Sequence, residues 1–520
     1  MARYDCLIIG SGVAGLSAAL QAASWGKVAV LCKAEAACTN TNLAQGGLAA
    51  VLSPEDSPAR HAADTLAAGS WHNNQAVVKL LAQEAPHCIQ ALLRLGVPFD
   101  TDEQGRLALG LEGGHSHSRI VHARDQTGFH IQQKLLEAVK QSPNIELLEY
   151  HMAVELLLER REEKSRCVGA KVLDLVNNRL KTMGSGAVIL ASGGAGQLYQ
   201  HTTNPAVATG DGIALAYHAG AELADLEFIQ FHPTTLYDPG KAAFLISEAV
   251  RGFGAELVLP GGTPFMHQYH RRGSLAPRDV VAQAMHHEMQ HLQLPCLFLD
   301  LRHLPQAQFA EKFPTIAQKL QERGIDVRSD LVPVVPAAHY MCGGVKTDLW
   351  GQSTLAGLYA CGECACTGLH GANRLASSSL PEGWVMGRRA AEHAAMWRQP
   401  LVNNLFPASA EVALALQEGE VAATALAVKQ QLQKLMWQWV GIVRSGEGLI
   451  HCQQQVEDLY RQAENFSTCL PEVLELKNLL TLAKLVIQAC IDRKESLGGH
   501  YLKSAPFARP ACTTVLSQLI

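Results

Sequence analysis

The chain has 520 residues, which at about 150 residues per domain gives a prior of roughly three domains or one large composite. With 48% apolar and 18% charged residues it is too hydrophobic to be disordered. A net charge of −5, from 43 basic and 48 acidic side chains, leaves no global basic field for nucleic acid or an anionic membrane, so any anionic ligand must be met by locally placed cations.

The stretch from Cys6 to Gly26 carries no charge and could be read as a signal peptide or membrane helix. Gly10, Gly12 and Gly15 interrupt it, and Ser11, Ser17, Gln21 and Ser24 add polar groups, which favours a soluble βαβ unit instead. The pattern predicts a strand over Tyr4–Ile9, a Gly turn, a helix over Val13–Ser24 and a second strand over Val28–Cys32. GSGVAG between strand and helix is the G-x-G-x-x-G register. Gly10 makes a tight turn, Gly12 lets backbone approach a pyrophosphate, Gly15 lets helix pack on strand, and the helix N-terminus supplies N–H groups and positive potential. The second strand ends on Lys33 rather than an acid for a ribose, with Glu35 the nearest carboxylate. This weakens a nicotinamide reading and offers a cation to phosphate.

Residues 53–160 read as mostly helical and polar, broken by the Gly/His-rich loop LEGGHSHSR (111–119). Strands over Ala187–Ala191 and Gly357–Cys361 run into SGGAG and GECACTG, two strand ends that open onto glycine. Candidate anion-binding side chains stand at His232 in FIQFHPT, Arg251 in ISEAVRG, Arg278 in LAPRDVV, His339 in PAAHYMCGG and Arg374 in LHGANRLASSSL. Arginine gives bidentate pairing with carboxylates and histidine single hydrogen bonds. From about Glu411 apolar residues recur at helical spacing, as in 425–443 and 476–491, which predicts a C-terminal helical bundle. HEMQH (287–291) fits a zinc-protease motif, but no third ligand follows at a familiar spacing and Pro295 ends the helix, so it reads as a polar helix face. The 14 cysteines lack a disulfide spacing and no export signal is apparent, so the reducing cytoplasm is expected. The Cys361, Cys364 and Cys366 cluster lacks a second pair, and no metal site is expected there.

Taken in order, GSGVAG, LAQGGLAA (43–50), ASGGAGQLY (191–199), TGDGIALAYHAG (209–220) and the five cation motifs resemble the succinate dehydrogenase/fumarate reductase flavoprotein superfamily, and within it the branch of L-aspartate oxidases, over nearly the whole chain. The resemblance implies an α/β + α fold. A discontinuous Rossmann-like FAD-binding domain would cover 1–222 and 342–410, an inserted α+β capping domain 223–341 and a helical domain 411–520. It implies FAD contacts at Ser11, Gly12, Val13, Ala14, Gly15, Lys33, Asn40, Thr41, Asn42, Leu43, Ala44, Gln45, Gly46, Gly47, Asp211, Glu363, Ser379 and Leu380. It also implies a substrate and catalytic set of Glu112, His232, Ser247, Glu248, Arg278, His339 and Arg374.

Three features separate this branch from the respiratory dehydrogenases. Asn40 stands where those enzymes carry a His that tethers FAD, so noncovalent FAD is implied. EGGHSHSR supplies an acid, Glu112, suited to a substrate ammonium. The chain also ends soon after its helical segment, without the longer respiratory tail. Leu497 in RKESLGGHY replaces a common Arg and alters an outer contact. The implied reaction oxidises L-aspartate to iminoaspartate as the first step of NAD biosynthesis, with oxygen or fumarate as acceptor and quinolinate synthase as the downstream consumer; neither nucleic acid nor a membrane is an expected partner. Arg278 corresponds to the family's proton-transfer residue, while amine deprotonation is open between solvent and Glu248. A fumarate reductase/succinate dehydrogenase flavoprotein is the alternative enzyme. A noncatalytic FAD scaffold would predict loss of the cation set, which is present.

Overall fold

The computed structural model describes residues 2–161, 164–241, 243–398, 412–413, 419–466 and 468–503; the expected boundary at 410/411 lies outside them. An eight-stranded sheet forms the frame, with the order Ile145–Leu148, Val28–Leu31, Ala2–Ile9, Arg179–Leu190, Lys164–Asp174 and His151–Arg161; Leu358–Ala360 and Val412–Ala413 also pair with Arg179–Leu190. Its nucleotide-binding half is parallel: Ala2–Ile9 runs alongside both Val28–Leu31 and Arg179–Leu190, and Leu358–Ala360 joins in the same sense. Strands buried on both faces read as continuous apolar runs, which is why these were visible in the sequence. One face is covered by the helices Val13–Ala22, Gln75–Arg94 and Ser379–Trp397, the other by Asp211–His218 and the C-terminal helices.

The expectation of a mostly helical 53–160 holds for Pro58–Ala68, Gln75–Arg94 and Thr127–Gln141 but fails from residue 145 onward. There His151–Arg161 pairs antiparallel with Lys164–Asp174, which in turn pairs with Arg179–Leu190. The Leu- and Glu-rich stretch AVELLLE has helical propensity, and cross-strand pairing overrides it.

A second, five-stranded antiparallel sheet has the order Phe244–Leu245, Ile229–Leu236, Val332–Met341, Leu297–Asp300 and Glu256–Val258, and its core is shared with the helix Arg278–Leu292. Three helices, Glu420–Trp439, Gly446–Glu464 and Pro471–Asp492, pack against the large sheet through Leu476, Leu479 and Val486 among others. No described helix is long and apolar enough to cross a membrane.

Candidate active site

The first βα turn is built by close approach. Gly10 has φ +116, and a Cβ there would stand 2.1 Å from the Ala191 carbonyl oxygen; one on Gly15 would stand 2.0 Å from the Gly10 carbonyl oxygen. Only glycine lets the two strand ends and the helix meet so tightly. The helix Val13–Ala22 begins at Gly12 with no side-chain cap. Val13 N–H donates to Thr41 Oγ1 at 3.0 Å, and other first-turn N–H groups remain for a ligand. One cavity opens at this turn and continues past Asn40–Gly47 to Glu112, His232, Arg278 and Arg374. An elongated dinucleotide with a small substrate beyond it therefore fits the lining, and the uncapped N-terminus suits a pyrophosphate.

Gln45 ties the two ends together. Its Nε2 donates to the Leu245 carbonyl at 2.6 Å and its Oε1 accepts from Ser247 N–H at 3.1 Å, while Ser247 Oγ caps the short helix Glu248–Gly252. Asn40 Nδ2 donates to Glu363 Oε2 at 3.0 Å, and Met341 N–H donates to Glu363 Oε1 at 3.1 Å. Burial nevertheless raises the Glu363 carboxyl to about 7.

The far end is set by two irregularities in one strand pair. Gln230 faces Tyr340 and Phe231 faces Ala338, so His339 is the extra residue of a bulge; a second shift between His232 and Thr235 accommodates Pro233. The bulges bring His232 and His339 together with ring centroids 5.0 Å apart. His232 Nδ1 accepts from Thr234 N–H at 3.2 Å, which leaves Nε2 as the protonated, donating nitrogen of the neutral ring. His339 Nδ1 lies 2.8 Å from Thr203 Oγ1. Gln230 Oε1 accepts from both arginines, Arg278 Nη1 at 2.9 Å and Arg374 Nη1 at 3.1 Å. Arg278 Nε donates to Glu248 Oε2 at 2.6 Å, Arg374 Nε donates to Ser379 Oγ, and the Arg374 guanidinium lies 5.0 Å over the Tyr340 ring.

The electrostatics are uneven. Burial, then the charges of Arg278 and other neighbours, holds His232 well below its ordinary value, and His339 is lowered by burial, Arg278 and Arg374. Both are neutral donors at pH 7. Burial and the proximity of Arg278 bring Arg374 down to about 10. Burial alone would raise the Glu248 carboxyl, but Arg278 and Arg251 outweigh it and hold the group below its usual range. Glu112 goes the other way, raised by burial and by the charge of Glu248 despite a 2.6 Å hydrogen bond from Ser377 Oγ. The loop that carries Glu112 is braced by buried Arg119, paired with Asp56 at 2.7 Å and Asp64 at 2.5 Å, and by His115 Nε2 at 3.0 Å from the Ala376 carbonyl.

All seven expected substrate-set residues line this cavity, and so do the expected cofactor residues except Gly15 and Asn42. Gly15 is under the turn against Gly10, and Asn42 N–H is held by Thr39 Oγ1 at 3.1 Å in a local turn. Lys33 lines the cavity, but the charge expected to meet a phosphate is met instead by Asp211 and Glu475, each at 2.7 Å. Arg251 lies outside the cavity, 3.7 Å from Glu248 Oε1. Sequence reasoning missed Gln230, Tyr340, Thr203 and Ser377. The first two sit in the recognised FIQFHPT and PAAHYMCGG segments, where a strand neighbour two residues from one His and the residue beside the other were available signals. Elsewhere, the Cys361 and Cys364 thiols contact the Leu190 carbonyl, Cys366 contacts Asp225, and the Tyr269 hydroxyl engages His287 and Glu288. Leu497 packs against Phe228, Tyr340, Cys342 and Ala372.

The family described as FAD binding domain matches residues 5–380, and the one described as fumarate reductase flavoprotein C-term matches 429–507. L-Aspartate oxidase 1 of Ralstonia nicotianae is 43% identical over 527 residues, covering 99% of this chain and 98% of that one. The chloroplastic L-aspartate oxidase of Arabidopsis thaliana is 42% identical over 535 residues, covering 97% and 81%. Among solved structures, the E. coli quinol fumarate reductase FrdA superposes with a TM-score of 0.87 at 29% identity, covering 99% of this chain and 94% of that one. With the glycine turn, the paired histidines and the two arginines on one cavity, these likenesses place the chain in the L-aspartate oxidase family of the succinate dehydrogenase/fumarate reductase flavoprotein superfamily, with FAD as its cofactor.

Proposed function

We propose that the chain oxidises L-aspartate to iminoaspartate, the first step of de novo NAD biosynthesis by the quinolinate route, and that oxygen or fumarate takes the electrons. The observation that carries this reading is the charge pattern at one end of the cavity: two guanidiniums and two neutral histidines stand with a poorly compensated carboxylate, Glu112. That set complements a molecule with two carboxylates and one ammonium.

FAD, when bound, supplies the acceptor for the hydride that leaves the substrate Cα. Arg374 and Arg278, held in register by Gln230, would clamp the carboxylates, and the Nε2 hydrogen of His232 would add a single bond. Glu112 would attract the ammonium. Its raised affinity for protons also suits it better than Glu248 to take one from the amine, because Glu248 is held anionic by Arg278 and Arg251. In the reverse sense, toward fumarate, Arg278 carries the protons to give, and its Nε donates to Glu248 Oε2 at 2.6 Å, which fixes the orientation of the guanidinium. Water exclusion and fixed geometry do much of the remaining work.

Noncovalent FAD is supported by Asn40, whose amide engages Glu363 and offers no nucleophilic ring nitrogen. The division into 1–222 with 342–410, 223–341 and 411–520 is supported by the separate core beneath the five-stranded sheet. A cytoplasmic location, with iminoaspartate consumed by quinolinate synthase, agrees with thirteen described cysteines that are free thiols.

The test is anaerobic mixing of the yellow protein with L-aspartate. Flavin colour should bleach and return on adding air or fumarate, and acid precipitation should release the flavin into solution. Colour that persists with aspartate overturns the reading; flavin retained in the washed pellet overturns the noncovalent attachment.

A further inference from the structure

Behind the catalytic wall lies a second cavity. Glu248, Arg278 and Arg374 line both cavities, so the wall between them is made of the substrate-facing side chains themselves. The lining of this second cavity also includes His270, Arg271, Arg272 and Asp64. Both arginines are exposed, and among the described residues neither guanidinium forms an ion pair. The carboxylates nearby are spoken for: Asp64 accepts from Arg119 and from Ser116 N–H and Oγ at 2.8 Å, and Glu248 from Arg278. His270 is lowered by burial, Arg272 and Arg271 and adds no compensating charge. On a chain of net charge −5, this mouth therefore carries two uncompensated positive charges directly in front of Arg278 and Arg374.

We propose that this cavity is the access vestibule for C4 dicarboxylates and that Arg271 and Arg272 steer them inward; the inference rests on the substrate class proposed above. Neither residue lines the inner cavity, so their action is on encounter rather than on the reacting atoms. Fields of this kind raise association rates and act on the net charge of the ligand, so they fade with salt. Fumarate, a dianion, should feel the mouth more strongly than aspartate, whose net charge is a single negative.

The experiment uses the full-length, FAD-loaded enzyme in its oxidised form, which binds fumarate without reacting, and follows the flavin absorbance change by stopped flow. The double variant Arg271→Ser/Arg272→Ser should lower the association rate about 3- to 30-fold at about 0.01 M ionic strength, where the screening length is about 30 Å, and should match wild type at about 1 M, where it is about 3 Å. The dissociation rate should be unaltered. Arg271→Lys/Arg272→Lys should restore association, because steering needs charge and not a bidentate fork. Equal association rates at low salt, a deficit that survives high salt, or failure of the lysine pair to rescue would each overturn the vestibule. A wild-type enzyme that takes up no fumarate at all would overturn the substrate class itself and the inference with it, whereas normal wild-type binding matched by the serine variant sinks the vestibule alone.

Discussion

Glu112→Gln separates recognition of an amine from recognition of dicarboxylates. Glu112 is 6% exposed and accepts from Ser377 Oγ at 2.6 Å, a bond that the glutamine oxygen can also accept, so the shape of the Gly-rich loop should persist. What is lost is the negative charge. A hydrogen bond to a charged group contributes about 1.5–3 kcal/mol, which is roughly 10- to 150-fold in the specificity constant for aspartate. Fumarate has no ammonium and is repelled by the same carboxylate, so its reduction should be spared or improved. The pH dependence carries the same sign. Burial and Glu248 raise the Glu112 carboxyl above its ordinary value, so ammonium recognition is present above that raised value and fades as pH falls through it. The acid limb should be seen with wild type and be missing in the glutamine variant. The assay is both specificity constants, measured across pH on one preparation. Equal losses for aspartate and fumarate would refute the recognition role and leave Glu112 as a brace for its loop.

Two further substitutions probe the two ends of the cavity. Arg374→Lys keeps a charge but loses the fork shared among Gln230, Ser379 and the Tyr340 ring, so binding of aspartate and fumarate should both weaken by about 1–3 kcal/mol while FAD content stays near wild type; unaltered kinetics would remove Arg374 from the pocket. Gly12→Ala should fold, because its Cβ meets only Thr41 Oγ1 at 3.2 Å, yet bind FAD at least about tenfold more weakly in a fluorescence titration of apoprotein, whereas Gly10→Ala, at φ +116 and 2.1 Å from Ala191 O, should lose about 2 kcal/mol or more of stability in a denaturant titration. FAD affinity unchanged in Gly12→Ala would show that the turn does not face the cofactor.

What could be read from the sequence was what local pattern determines. The βαβ unit was legible because Cys6–Ile9 and Val28–Leu31 are buried on both faces and GSGVAG has a steric reason for each glycine. The cation set was legible because Arg and His in distinctive motifs carry their chemistry in their type. Pairwise geometry was not. Gln230 is an ordinary polar residue until the fold sets it between two arginines, and the His339 bulge depends on a register that only the partner strand defines. The ion pairs of Lys33 were out of reach for the same reason, because Glu475, one of its two carboxylate partners, comes from a helix more than four hundred residues later. The strand His151–Arg161 was hidden by helix-favouring residues whose pairing partners lay downstream.

The two buried carboxylates of the site are set in opposite environments. Glu112 and Glu248 share one cavity and feel each other's charge, but Glu248 has Arg278 at 2.6 Å and Arg251 at 3.7 Å, while among the described residues the one side-chain hydrogen bond to Glu112 comes from a neutral hydroxyl. Paired environments that push like groups apart are how a site assigns different roles to identical chemistry. The compensated member is held as an anion and orients Arg278, whose Nε donates to it. Glu112 is less compensated, because burial and Glu248 outweigh Ser377, Arg278 and Arg374, and an entering ammonium would offset that. A dicarboxylate without an amine leaves that demand unmet, which gives a physical reason why the same pair of arginines can serve two substrates while Glu112 distinguishes them.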